Sequence, residues 1–262
     1  MQSALESAFT ASNGDHDWTL SHPWASRLVP KVPLKPGCQI IDIAAGTGSL
    51  AVPLAATALK RGLLDVRVVA VDIDDKPLAL LRANAARCGM PCAACTSGTA
   101  GSDTTVLCTL EQDALSLPFP DGTFDVATSV FGVVDTLPAA RELARVLKPG
   151  GTALVMHWAR MADGQPGVDG RQVLADAGLH VLSEEEHTAP MNYIGLINDP
   201  RLFDAFLRRL VSPEGDRVET IDPWPFERSK SDVQRDFQIL YDLENPVEDI
   251  AATCKLILAQ KM

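Results

Sequence analysis

This 262-residue sequence predicts an α/β fold built on a mostly parallel, doubly wound sheet. Three observations predict it. From Gln39 to about His187, strand-like apolar runs alternate with helix-like amphipathic ones, the βαβα order that requires a parallel sheet covered on both faces. The run Ile40-Ile41-Asp42-Ile43 opens into the turn Ala44-Ala45-Gly46-Thr47-Gly48, where two glycines let the backbone turn tightly and approach a ligand that a Cβ would block. Polar residues recur where successive strands end, which is where an open parallel sheet collects its ligands.

Gln39 to Ile43 reads as a buried parallel strand, because its isoleucines leave no polar face. Val66 to Asp72 is the second strand. In the helix that follows, Leu78, Leu81 and Ala85 recur at helical spacing, Asp74 or Asp75 is the N-cap, Pro77 sits in the first turn and Gly89 ends it. Cys88 to Thr105 is rich in Gly, Ser, Thr and Ala, so a long, mobile surface excursion is expected there. Thr105 to Gln112 and Phe124 to Val130 are the next strands. Ala139, Leu143, Val146 and Leu147 form one apolar helical face after Pro138, and Lys148-Pro149-Gly150-Gly151 is expected to stop that helix. Thr152 to His157 and Leu179 to Ser183 follow as strands. From about Ala189 to Asp249, the helical pieces Pro200 to Val211 and Ser231 to Leu243 surround a loop rich in Pro, Glu and Asp and are expected to cap the sheet. Cys254 to Gln260 is the last strand.

The length suits one large domain, and two equal domains are not expected. A net charge of -11 opposes sequence-independent binding to nucleic acid, which relies on clustered Lys and Arg. Met1 to Trp18 lacks a cationic segment followed by an apolar core, and no apolar run reaches membrane-spanning length, so a soluble, cytoplasmic protein is expected. Cys88, Cys92, Cys95 and Cys108 fall close together, but a zinc ribbon needs two close pairs, and only Cys92-x-x-Cys95 is one. Free thiols and no metal are expected, with Cys108 packed as a small strand residue.

At the strand ends, Asp72 is placed to accept both hydroxyls of a ribose, and Asp113-Ala114 to accept from the exocyclic amine of adenine. Ser129-Val130-Phe131-Gly132 offers backbone groups and an aromatic ring to the same edge. Taken together, Asp42-x-Ala44-x-Gly46-Thr47-Gly48, Asp72, Gln112-Asp113-Ala114 before Leu117-Pro118-Phe119, Phe124-Asp125 and Arg145-Val146-Leu147-Lys148-Pro149-Gly150-Gly151 resemble the class I S-adenosylmethionine-dependent methyltransferases over residues 38 to 158. Ala44 and the Phe131-Gly132 pair look most like the ubiquinone/menaquinone C-methyltransferase branch. That branch carries Arg-Asn after the Phe-Gly, where this chain has Val133-Val134 followed by Asp135.

The resemblance implies a Rossmann-like, seven-stranded sheet whose last strand, Cys254 to Gln260, is antiparallel and inserted beside Leu179 to Ser183. It implies S-adenosylmethionine as cofactor, with Asp42 and the backbone of Ala44, Ala45, Gly46, Thr47 and Gly48 near the methionine end. Asp72 would meet the ribose, Asp113 and Ala114 the adenine, and Ser129 the homocysteine portion, with Ile73 and Val130 as further cofactor-binding residues. The domain plan is a single methyltransferase domain: an N-terminal segment over 1–37, a cofactor-binding core over 38–188, a helical substrate cap over 189–250 and a final strand over 251–262.

Several residues admit plainer readings. Asp42 can brace the turn, and Asp125 belongs with the turn signal Pro120-Asp121-Gly122 rather than with the site. His157 ends a strand on the ligand side and is the one candidate base, although a His beside Trp158 also packs well; methyl transfer needs alignment in a dry pocket more than it needs a base. His22, Trp24 and Tyr193 are further pocket candidates, and Glu184-Glu185-Glu186 reads as a solvated strand end. The expected reaction is methylation of a small-molecule substrate. An NAD-linked dehydrogenase is the first rival, disfavoured by the lack of a third glycine. The second is a non-catalytic member acting as an interaction module.

Overall fold

The computed structural model describes residues 24–25, 27–95, 106–132, 134, 136–159, 167–191 and 250–262. The chain divides into one unit formed by residues up to Thr188 with Ala252–Met262 and a second formed by Ala189–Ala251. Apart from its strand ends, the second lies outside the described residues, as do His22, Tyr193, both expected cap helices and most of the excursion at 96–105. The cap and the four-part domain plan therefore stay proposals.

The described elements, in order, are strand β1 (Gln39–Ile43), helix α1 (Ala51–Lys60), β2 (Arg67–Asp72), α2 (Asp75–Arg87), β3 (Cys92–Ala94), β4 (Val106–Glu111), β5 (Phe124–Val130), α3 (Leu137–Val146), β6 (Leu147–Trp158), α4 (Gly170–Asp176), β7 (Leu179–Met191) and β8 (Ile250–Lys261). They form one eight-stranded sheet in the order β3-β4-β2-β1-β5-β6-β8-β7. The strands from β3 to β6 pair in parallel, and β8 runs antiparallel to β6. The alternating α/β fold and its antiparallel, inserted final strand match expectation. The strand count does not: β3 forms inside the stretch expected to be an irregular excursion. Only three residues long, it is too short for periodicity to reveal.

Strand alternation builds two cores. Ile41, Ile43, Val69 and Val71 face one side with Phe124, Leu143, Val146 and Leu174, which brings in α3 and α4. Ile40 and Val68, on the other side, are equally inaccessible. Asp74 caps α2 by accepting from Lys76 N–H at 2.9 Å, and Gly89 takes a left-handed φ of 69° just past its end. The expected stop of α3 at Lys148–Gly151 takes another form. The helix ends at Val146 and the chain passes directly into β6, where Phe124 pairs with Leu147 and Val126 with Thr152. Lys148–Gly151 is thus an outward bulge within the strand. A Cβ on Gly151 would stand 2.8 Å from the Lys148 carbonyl oxygen, so the second glycine is there for room.

Arg145 holds the far edge together. Its guanidinium pairs with Glu142 at 2.7 Å and Asp121 at 2.9 Å and donates to the carbonyls of Leu117 and Phe119, while Glu142 accepts from Leu117 N–H. The Leu117-Pro118-Phe119 and Arg145 motifs therefore clasp each other. Asp125 joins β5 to β1 and β6 by accepting from Gln39 N–H and Lys148 Nζ, each at 2.9 Å. Burial works to raise its carboxyl, but these donors outweigh it and hold it below the usual range.

Two expectations need correction. Cys95 and Cys108 are joined in a disulfide, whereas Cys38, Cys88, Cys92 and Cys254 form none. The reason is the unforeseen β3, which delivers Cys95 beside β4 with its Cα 5.4 Å from that of Cys108. The run Glu184–Glu186 is also less solvated than expected. Glu184 pairs with Lys255 at 2.7 Å and Glu185 with Lys31 at 2.6 Å, which ties the N-terminal segment to β7. Among the described residues no helix is long and apolar enough to cross a membrane, and no group of three or more His, Cys, Asp or Glu is arranged to hold a metal ion.

Candidate functional site

The turn after β1 is held from the neighbouring strand. Ala45 N–H donates to the Val71 carbonyl at 2.9 Å, Gly46 N–H to Asp72 Oδ2 at 2.8 Å, and Gly48 N–H to the Ala45 carbonyl at 2.9 Å. Ala44 has a left-handed φ of 56°, strain of roughly 1 to 2 kcal/mol for a residue with a Cβ. Gly48 has a φ of 89°, and a Cβ there would stand 2.6 Å from Leu81 Cγ, so glycine is required by conformation and by packing. A link absent from the sequence reading is Asn84 of α2, 1% exposed, which donates to the Thr47 carbonyl at 3.2 Å.

The carboxylates divide by depth. Asp42 is 2% exposed and lies beneath the turn, accepting from Thr128 Oγ1 at 2.7 Å and from the Ala51 N–H at the start of α1. Burial pushes its carboxyl up to about 7 against the opposing help of those hydrogen bonds, and the nearby Asp72 charge adds to the rise. Asp72 is half-buried. Besides Gly46 it accepts from Asp74 N–H on Oδ1 at 3.2 Å, which leaves lone pairs on both oxygens. Asp113 is exposed and accepts from Leu115 N–H at 2.8 Å in a local turn, with Ala114 buried beside it. The Gln112 N–H to Asp72 carbonyl bond, 2.8 Å, brings these two strand ends side by side.

Not every expected residue joins this edge through its side chain. Ser129 is 1% exposed and donates to the Ile43 carbonyl at 2.9 Å, a strand-to-strand tie, while Val130 is half-buried at the end of β5. His157 lies on the α4 face of β6. It is 4% exposed, its Nδ1 is 3.2 Å from the Trp158 carbonyl oxygen, and a Cβ on Gly170 would stand 2.6 Å from its Nε2. The structure thus packs His157 under a helix instead of presenting it at the strand ends. Trp158, the next residue, points the opposite way. Its ring stacks on Phe131 at 4.0 Å, and Trp24 meets both edge-on at 6.2 and 6.3 Å. Phe131 holds a left-handed φ of 54°, and the following Gly132 fits so closely that a Cβ would stand 2.6 Å from that of Ala44. The aromatic cluster and the turn are therefore adjoining walls. Only Phe131 and Trp24 had a signal in the sequence.

These residues fit a nucleoside with a charged tail. Ile73, 70% exposed, and Leu115, 50% exposed, leave bare apolar surface beside Asp72 and Asp113, the combination that a ring bearing hydroxyls would cover. Thr47 Oγ1 is buried in the turn with no hydrogen-bond partner among the described residues.

A parallel sheet with this turn, this strand-end acid and an inserted antiparallel strand defines the class I methyltransferase fold. Comparison with known proteins agrees: residues 41–155 match the family model described as a methyltransferase domain. A demethylmenaquinone methyltransferase of Thermus thermophilus is 36% identical over 138 residues, 52% of this chain and 54% of that protein. The ubiquinone/menaquinone biosynthesis C-methyltransferase UbiE of Shewanella frigidimarina is 31% identical over 138 residues, 52% of this chain and 48% of that protein. The chain thus matches about half the length of these relatives. Among solved structures, a Bacillus halodurans C-125 protein described as a methyltransferase superposes with a TM-score of 0.56 at 18% identity, over 90% of this chain and 98% of that one. The [4+2]-cyclase SpnF gives 0.56 at 19% identity, over 92% of this chain and 80% of that one. Residues 41–155 are thus similar to the class I methyltransferases of the UbiE-like branch, and these similarities indicate S-adenosylmethionine as the cofactor of the domain.

Proposed function

We propose that this chain transfers a methyl group from S-adenosylmethionine to a small organic acceptor, leaving S-adenosylhomocysteine. The observation that carries the reading is the Asp72 carboxylate, which fastens the Ala44–Gly48 turn through Gly46 N–H and keeps acceptor capacity for a ribose at the same strand end. When bound, S-adenosylmethionine supplies an electrophilic methyl on a sulfonium sulfur. In this reading Asp72 accepts from the ribose hydroxyls, Ile73 and Leu115 cover the adenine faces, Asp113 and Ala114 meet its polar edge, and the turn's backbone orients the methionine end. Asp42 and Ser129 act from below by fixing the turn against β5. Phe131 and Trp158 keep water from the acceptor side, where alignment and a dry wall supply the rate and no base is required. The acidic charge favours a small acceptor over nucleic acid.

The fold alone does not decide the chemistry, since SpnF shares it as a cyclase. Calorimetry with S-adenosylhomocysteine is the first test, and no binding at high micromolar concentration would sink the reading. Binding without turnover on any acceptor would favour a cofactor-binding interaction module. In the same titration Asp72→Ala is expected to weaken binding by about 1 to 3 kcal/mol through lost charge-assisted hydrogen bonds. Unchanged affinity would show that the ribose lies elsewhere.

A further inference from the structure

The acceptor side carries a cation whose situation differs from that of its neighbours. Arg82, Arg145, Lys148 and Lys255 are half-buried, and each is paired with a carboxylate within 3 Å. Half-buried Arg67 and Lys261 donate to Cys108 Sγ and to the carbonyls of Arg145 and Leu147. Arg27, also half-buried, has no carboxylate partner among the described residues. Its guanidinium carbon lies over the Trp24 ring at 5.4 Å from the centroid.

Its location is set by its neighbours. Trp24 packs edge-on to Phe131 and Trp158, the residues at the carboxyl ends of β5 and β6, and Trp158 pairs with Cys254 across β8. Burial pushes the Cys254 thiol up to about 12, and the charge of Arg27 opposes that rise, which places the guanidinium near this end of β8. Phe131 runs into Gly132, which abuts Ala44 of the cofactor turn. An arginine fork beside an aromatic wall next to the cofactor turn, in a chain of net charge -11, holds the chemistry to select a planar anion.

We infer that Arg27 is the anion anchor of the acceptor site, and that the acceptor is a flat ring bearing a carboxylate or a similar anionic group. The ring lies against the half-buried Phe131 and Trp158, with Trp24 buried beneath the guanidinium that meets the anion. This rests on the methyltransferase reading. It goes beyond that reading by naming the acceptor's chemical class and the residue that chooses it. The step is a displacement at carbon: a nucleophilic atom of the ring substituent or ring forms the new bond to the methyl, the carbon–sulfur bond breaks with its electron pair staying on sulfur, and the acceptor's proton passes to solvent. Arg27 orients and takes no proton.

The test uses the full chain saturated with S-adenosylhomocysteine, titrated with 3-hydroxy-2-naphthoate and with the corresponding amide. The carboxylate is expected to bind about tenfold more tightly than the amide. Arg27→Met is expected to abolish that preference and Arg27→Lys to restore part of it, with S-adenosylhomocysteine affinity unchanged in both. Equal binding of the two probes, binding of neither, or a preference that survives Arg27→Met overturns the assignment while leaving cofactor binding intact. Failure of S-adenosylhomocysteine itself to bind removes the methyltransferase reading, and the acceptor assignment with it.

Discussion

Asp42 shows how one buried residue can set a property of the whole chain. Its carboxyl is pushed up to about 7, chiefly by burial, whereas an unfolded aspartate titrates near 4. The folded chain therefore holds this proton more tightly than the unfolded chain does. The resulting stability is complete below about pH 4, declines as pH rises towards about 7 and is gone above it, at up to about 1.4 kcal/mol per unit. Asp42→Asn is expected to flatten that decline relative to the natural chain, as measured by urea unfolding at several pH values across the window. Identical pH profiles would show that Asp42 ionises freely. Gly132 is the second residue on which the site turns, because a Cβ there collides with Ala44 Cβ and with Ser129 Oγ at 2.7 Å. Gly132→Ala is expected to displace the cofactor turn and weaken S-adenosylhomocysteine binding at least tenfold, about 1.4 kcal/mol. Affinity equal to that of the natural chain would mean that the turn yields at no cost.

Among elements, those with strong periodicity or caps were legible in the sequence, and those defined by contact were not. β1 and β5 have the expected limits, and α2 starts just after its Asp74 cap and ends before Gly89 as its cap residues direct. β3 escaped notice because three residues of Cys and Ala have neither length nor alternation, so only pairing with β4 makes them a strand. The disulfide was hidden for the same reason. Closing a loop of 13 residues, it is expected to contribute about 3 kcal/mol, so reduction or Cys95→Ser should lower the unfolding midpoint accordingly. Thiol titration of the unfolded, unreduced chain should find four reactive thiols, and a count of six would overturn the pairing. His157 shows the limit of reading a strand end: its neighbour Trp158 faces the aromatic cluster, and alternation sends the imidazole to α4. Arg145 shows a motif whose purpose is internal. Arg145→Ala is expected to cost about 2 to 3 kcal/mol in denaturant unfolding, and Arg145→Lys to recover only part, because an ammonium cannot reproduce the fork on Glu142 and two carbonyls.

At the scale of the molecule, the parallel strands place chemistry at one end of the sheet and fastening at the other. The turn, Asp72, Asp113 and Phe131–Gly132 stand at the carboxyl ends, while the Lys148–Gly151 bulge and the Asp125 tie stand at the amino ends. A ligand that binds only the folded chain raises its stability by mass action, about 2.7 kcal/mol at a concentration one hundred times Kd. S-adenosylhomocysteine at that excess is therefore expected to raise the melting temperature. Its local signature should be sharper than its global one. Amide hydrogen exchange should slow most at residues 44–48, 72–73, 113–114 and 131–132, and least at 148–151. Slowing that is strongest at the bulge would put the ligand at the wrong end of the sheet and overturn the site, even if the melting temperature rose as expected.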